Sequence, residues 1–476
     1  MKFTVWFSVL CLTGTLLAAQ EAKDYKAIDS AVQGGGYAKA VAAIEKDGKD
    51  PKKAKIYTAK NDVLYNLDKG IVEHYAGQND ASFTNLEDAE KLIAEYSKPS
   101  ISEGLAALVT SDNAKSYSGE AYEDMYDSVF NALNNYNRGD IEGARVEARQ
   151  INEKLAKLLA LQQSELKKVQ EDAAKDIKGI SMPPAEPVKF NSSALGSYIN
   201  LVMLRGYTSV APFVKQISDA YSSSPNVYSN PLPKSIAEEA AVANGKARIN
   251  IIGFTGLSPV KEEDVTTIPL DGLGFLTAYI GVVGAVSGSA IPLTDVGITL
   301  VGKELRFAVP VISAEPRSAA INRIVVQIEG QEIELELLED MGKVMRETFE
   351  TKRSVIYAKT YTRSIIKTAT AIVGFTAAQV AVSKESDLKK QIALKAAVKA
   401  ADILVTNALQ KGEKADTRMA RYLPNRAYVG GITLDPGTYK ATITFYQDSK
   451  AVGKPVEKTI EAKAGQPNIL EAVNLQ

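Results

Sequence analysis

The sequence has one cysteine, Cys11, and one histidine, His74. Beyond residue 20 it therefore has no thiol for a metal site, a disulfide or a nucleophilic attack, and His74 alone cannot build a multi-histidine metal site. Neither sign of charge is in excess: 56 Lys and Arg stand against 57 Asp and Glu, which removes the basic footprint of a nucleic-acid binder. Walker, dinucleotide-binding and zinc-protease spacings are missing. Gly34-Gly35-Gly36 lacks the Lys-Ser/Thr of a phosphate loop and reads as a turn. No cofactor and no metal are expected. Proline is too sparse, at 18 residues in 476, for a mainly disordered chain, and 45% hydrophobic residues suffice for two or three packed domains.

What is present begins with an export signal. Lys2 precedes an apolar run from Phe3 to Leu17, and the small pair Ala18-Ala19 comes before Glu21 and Lys23. That is the pattern of a secretory signal peptide over residues 1–19. Cys11 follows Leu10, where a lipidation motif wants a small residue, so lipidation is not expected. The mature protein is expected in the periplasm or at the outer membrane, held by packing rather than by disulfides.

From about 24 to 180 the pattern is one of helical pairs joined by glycine turns. Val63, Leu64, Leu67, Gly70, Ile71 and Tyr75 have the spacing of one buried helix face, Gly77-Gln78-Asn79 breaks it, and Leu86, Ala89, Leu92 and Ile93 continue on a second helix. Val129, Leu133 and Tyr136, then Arg138-Gly139-Asp140, then Ala144, Ala148, Ile151 and Leu155 repeat the arrangement. Glycine at the turn supplies a left-handed cap, and small residues let the paired helices approach, as in tetratricopeptide repeats. The interval between turn glycines is about twice the usual ~34 residues, which makes these degenerate units; an irregular helical bundle is the alternative. Residues 141–178 read as one long helix ending in the linker Met182 to Pro187, and 190–235 as a further helical pair. From 246 to 476 strands take over, with helices at about 340–382 and 387–410. Ile324 to Ile328, Glu329-Gly330 and Ile333, Leu335, Leu337 make a hairpin, and Tyr439, Ala441, Ile443 and Phe445 alternate after a Pro436-Gly437 turn. The expected fold class is α+β: tetratricopeptide-like helical repeats followed by a β-rich, sandwich-like domain with inserted long helices.

Several stretches carry a resemblance. They are Leu67 to Gly70 through His74 to Gly77 with Ala89-Glu90, Gly139 to Arg149, Gly256 to Lys261, Ala358 to Arg363, Ala415 to Arg418 with Leu423-Pro424, and Leu434 to Tyr439. In these the chain resembles an uncharacterised family of bacterial envelope proteins, often lipoproteins, with tetratricopeptide-like helices and a C-terminal β-rich domain. The resemblance implies fold and envelope location, and singles out Arg363, Asp416, Arg418 and Pro424 without giving them a role. It implies no activity, and the missing lipidated cysteine departs from the family's habit.

Arg145 and Arg149 are one turn apart on one helix face, where they could clamp an anion or carboxylate of a protein partner, or pair with acidic residues such as Glu123 or Asp127 on the preceding helix. Asp416 and Arg418 read either as a structural ion pair at the entry to the last sheet or as a partner-facing site. His74 has no nucleophile in an elbow context beside it and reads as a packed or surface histidine. The charge-free run Gly272 to Ile291 admits either a membrane hairpin or a buried, loop-rich segment, and Thr368 to Ser383 is charge-free as well. The function expected is that of an exported, non-enzymatic scaffold or adaptor for an envelope protein, with no nucleic acid bound and with peripheral membrane association admitted. The alternatives are a hydrolase using carboxylates such as Glu123 and Asp124, and a membrane-embedded assembly factor using residues 272–291.

Overall fold

A computed structural model describes residues 23–98, 112–176, 190, 192–269, 304–384 and 414–476, with isolated positions between 387 and 399. The expected signal peptide over residues 1–19, the expected 182–187 linker, the 272–291 run and most of the expected 387–410 helix lie outside the described residues.

The helical part starts with α1 (23–33) and α2 (Tyr37–Gly48), followed by α3 (Asp62–Tyr75) and α4 (Asn79–Tyr96). Next come α5 (Ala121–Asn137), α6 (Ile141–Asp176), α7 (Ala194–Met203), α8 (Ala211–Ser223) and α9 (Lys234–Glu239). The turns are those the glycines specify. Gly35, Gly77 and Gly139 sit at φ of 71°, 74° and 83°, and the residue after each of the last two bonds back into the final helical turn, Gln78 N to Glu73 O and Asp140 N to Asn135 O. Ala89 and Ala144 are fully buried where paired helices meet.

The strands are β1 (Ala247–Leu257), β2 (Lys261–Pro269), β3 (Glu304–Ile312), β4 (Arg323–Ile328), β5 (Gln331–Glu334) and β6 (Glu336–Asp340). After helix α10 (Met341–Lys384) come β7 (Pro424–Leu434), β8 (Gly437–Gln447), β9 (Lys450–Ala462) and β10 (Ile469–Asn474). One four-stranded sheet has the order β10-β1-β7-β6 and another β5-β4-β8-β9, while β2 and β3 form a separate ribbon. The expected hairpin is β4-β5, turned at Glu329 (φ 49°) and Gly330 (φ 71°), but it ends sooner than expected: Leu337, assigned to its second strand by the alternation, lies in β6 and pairs with Tyr428 of β7 in the other sheet.

Strand β1 is buried on both faces. Ala247, Ile249 and Ile251 enter a core shared by the two four-stranded sheets. The intervening Arg248, Asn250, Ile252 and Phe254 are buried too, facing the helices rather than solvent. The first sheet is thus the middle of three layers, with helices on one face and the second sheet on the other. A single core cluster runs from α1 through α8 into β1, β7 and α10, so the change of texture near 246 marks no gap in packing. The fold is α+β.

Helix α10 lies along the β2-β3 ribbon, with Phe307 of β3 edge-on to Tyr357 at 5.5 Å and Arg353 bonded to Asp264 at 2.9 Å. No helix among the described residues is long and apolar enough to cross a membrane.

Candidate functional site

Arg145 and Arg149 do come together, on a residue that the apolar spacing of the helices does not single out. Tyr207, in the turn between α7 and α8, is 64% exposed. The guanidinium of Arg145 is 5.0 Å from its ring centre and that of Arg149 5.6 Å, both within cation–π range. The turn is stiff. Tyr207 N and Thr208 N both donate to Leu204 O, and Gly206, at φ 76°, lies against the Gly465 backbone so closely that a Cβ there would overlap the Gly465 carbonyl oxygen. Neither arginine meets Glu123 or Asp127. Arg145 is 9% exposed, donates from Nε to Met203 O at 3.1 Å and closes on Glu142 of its own helix. The sequence signal for Tyr207 is slight: an aromatic directly after a glycine in a polar turn, where no buried face calls for one.

Two of the other singled-out residues, Asp416 and Arg418, lie along an extended strap, residues 414–423, that threads between helices and sheet. Arg418 grips Asp416 with two bonds of 2.8 and 2.7 Å, stacks 5.4 Å from the Tyr117 ring and donates to Lys115 O and Asn61. Burial works against the Asp416 charge, but the Arg418 fork outweighs it and holds the carboxyl below its ordinary value. Both side chains are satisfied inside the protein, as in a structural ion pair. Pro424 opens β7 opposite Leu257. Arg363 is buried and engaged on α10. The strap also binds motif stretches distant in sequence: Arg421 N donates to Asp68, Leu423 O accepts from Ser258 N, and Lys261 Nζ donates to Arg418 O.

The carboxylates of α5 are consumed locally. Glu123 accepts from Tyr117 OH, Glu120 N and Ala420 N, at 2.7, 2.8 and 2.6 Å. Asp124, the next residue, turns the other way, 3.8 Å from Lys154. Burial raises the pKa of both from the ordinary value, yet the two side chains point to different partners. Glu339 of β6 is a well-satisfied buried acid, receiving Tyr126 OH, Tyr228 OH, Ser193 Oγ and Leu195 N, and so ties the sheet to α5 and α7.

His74 is buried with both ring nitrogens engaged: Nδ1 is 2.7 Å from Asn134 Oδ1 and Nε2 2.8 Å from Glu471 Oε2. The protonation follows from the network. Ser82 Oγ donates to Gly70 O, so it accepts from Asn134 Nδ2, which leaves Asn134 Oδ1 as an acceptor toward the imidazole. With a carboxylate on the other side, both nitrogens donate and the ring is an imidazolium. Burial opposes that charge, but Glu471 and the two hydrogen bonds outweigh it and raise the His74 pKa, while that of Glu471 is lowered.

A cleft of about 370 Å³ lies between the two glycine turns, lined by Gln78, Asn79, Asp80, Asn137 and Arg138 among others, with Arg138 closed on Asp80 at 2.7 Å. Among the described residues, no group of three or more His, Cys, Asp or Glu side chains is placed to hold a metal ion. These features define an α+β protein with an exposed tyrosine, Tyr207, set beside two arginines on its helical side. Compared with protein-family models, curated proteins and solved structures, the chain finds no match.

Proposed function

We propose that this is an exported, non-enzymatic protein of the cell envelope that acts as a scaffold or adaptor, binding another protein through its helical layer at Arg145, Arg149 and Tyr207. The observation that carries the reading is Tyr207 itself. A large aromatic, 64% exposed, held on a rigid turn beside two arginines has the composition of an interface hot spot. Lending support, the helical hairpins turn at left-handed glycines in the manner of tetratricopeptide units, and stacked hairpins of that kind bind partners over a surface rather than at catalytic groups. Export rests on the pattern of residues 1–19, and an envelope location on the resemblance.

The test uses the surface members of the site, because removing the buried Arg145 would disturb packing. Tyr207→Ala with Arg149→Ala is expected to keep the wild-type melting temperature within the roughly 0.5 kcal/mol typical of surface changes. The same variant is expected to lose capture of the envelope proteins that the wild-type chain retains. Unchanged capture by a stable variant overturns the assignment of this surface.

A further inference from the structure

The two arginines beside Tyr207 are not equivalent, and the difference points to the partner's chemistry. Arg145 is engaged internally by Met203 O and Glu142. Arg149, one turn further along α6, is exposed, and no carbonyl or carboxylate among the described residues receives its guanidinium N–H groups. The Tyr207 hydroxyl is likewise without a partner among the described residues. Val146, three residues before Arg149 and hence its neighbour on the helix surface, is 50% exposed. The patch therefore offers a planar fork of donors, a phenolic O–H and an apolar side chain. Arg149 can only donate, so what complements it is an anionic acceptor, and a carboxylate matches the fork with two parallel bonds.

We propose, resting on the reading of this face as the partner-binding surface, that Arg149 and Tyr207 anchor an acidic segment of a protein partner. One carboxylate sits on the Arg149 fork and an adjacent apolar side chain packs on Val146. A membrane surface is the weaker fit. Anionic lipid takes clusters of roughly four to eight basic residues, whereas of the cations flanking Tyr207 in sequence, Arg205 is paired with Glu239 and Lys215 with Asp219.

The experiment titrates the full chain with a short fluorescein-labelled peptide that alternates Glu with Leu and Gly, with its Gln counterpart, and with phosphatidylglycerol vesicles. The Glu peptide is expected to bind, to weaken as salt is raised, and to lose about tenfold in affinity both on Arg149→Ala and on replacing its Glu by Gln. Arg149→Lys, which keeps the charge but not the fork, recovers only part of the loss. The proposal is overturned if the Glu and Gln peptides bind alike, if Arg149→Ala binds the Glu peptide like wild type, or if vesicles rather than the peptide show the Arg149 dependence. Envelope capture that depends on Tyr207 and Arg149, with no preference for the Glu peptide, sinks the acidic assignment and leaves the binding surface standing. Peptide binding without any captured envelope protein does the reverse.

Discussion

Asp127 has no ordinary reason to be where it is. It lies in the middle of α5, fully buried, and neither carboxyl oxygen has a hydrogen-bond partner among the described residues. Burial pushes its pKa up, Lys154 pulls against that, and Asp124, Glu90 and Glu147 add to the push, so the group stays well above the carboxyl range. Glu147 beside it is pushed up to about 7 by burial, and Asp68, under the strap, reaches about 7 for the same reason. A folded-state pKa raised in this way supports stability below the unfolded value and loses that support as pH rises through the folded one. Asn has the shape of the neutral acid and never ionises. Asp127→Asn is thus expected to melt like wild type only below about pH 4, and to become progressively the more stable of the two as pH rises from there toward about pH 9, by on the order of 1–3 kcal/mol. Thermal melts of both proteins across that range check it. Parallel curves at every pH would mean that Asp127 finds a partner.

Within single elements, glycine is the most legible signal. The turns at Gly77 and Gly139 could be read because a glycine set directly after an apolar helix face is the usual mark of a left-handed cap. Among the described residues, nothing beyond its chain neighbours lies within 4 Å of a Cβ built at Gly139, so a substitution there meets only the cost of positive φ. Gly139→Val is expected to cost more than about 1 kcal/mol and Gly139→Asn much less, since Asn tolerates that region. At Gly206 the positive φ is joined by the Gly465 carbonyl, a backbone atom that cannot swing aside. Gly206→Ala is expected to cost roughly 2–4 kcal/mol, above either Gly139 variant, by denaturant titration. Strand β8 was legible from its period because it buries one face, Ala441, Ile443 and Phe445, and the β4-β5 hairpin from the Glu329-Gly330 turn between its two runs. Helix α5 was not. A spacing of Val129, Leu133 and Tyr136 assigns Asp127, Asn131 and Asn134 to a solvated side, whereas the helix is enclosed almost all round and those residues are buried. Periodicity reports which residues prefer the interior; it cannot show that a second layer will cover the opposite face. The same limit hid Tyr207, whose surroundings come from α6, from the α7–α8 turn and from the far end of the chain.

At the scale of the whole molecule, the early helices and the last strand are fastened to one another. Tyr136 OH accepts from Ile469 N at 2.9 Å, Tyr75 OH donates to Tyr422 O at 3.1 Å, and Glu471 of β10 receives His74 and Asn137. Together with the continuous core, this makes separate melting of helices and sheets unfavourable: opening either exposes the apolar face of the other. Far-UV ellipticity, dominated by helix, and near-UV tyrosine signals are therefore expected to give one coincident transition. The His74–Glu471 pair supplies a way to perturb the seam by pH. With the His74 pKa raised, its contribution is full below the ordinary imidazole value of 6.5 and fades as pH rises through the folded value. With the Glu471 pKa lowered, its contribution is present above the ordinary value of 4.5 and fades as pH falls. Between those limits the pair stabilises most. His74→Gln removes the charge and leaves Glu471 facing an amide, which for a buried pair costs on the order of 3 kcal/mol. The loss in melting temperature is expected to be greatest near about pH 6, to shrink toward about pH 9, and to move the helix and tyrosine transitions together. A variant in which the two signals separate, with the helices melting first, would show that the layers are coupled through His74 alone rather than through the core.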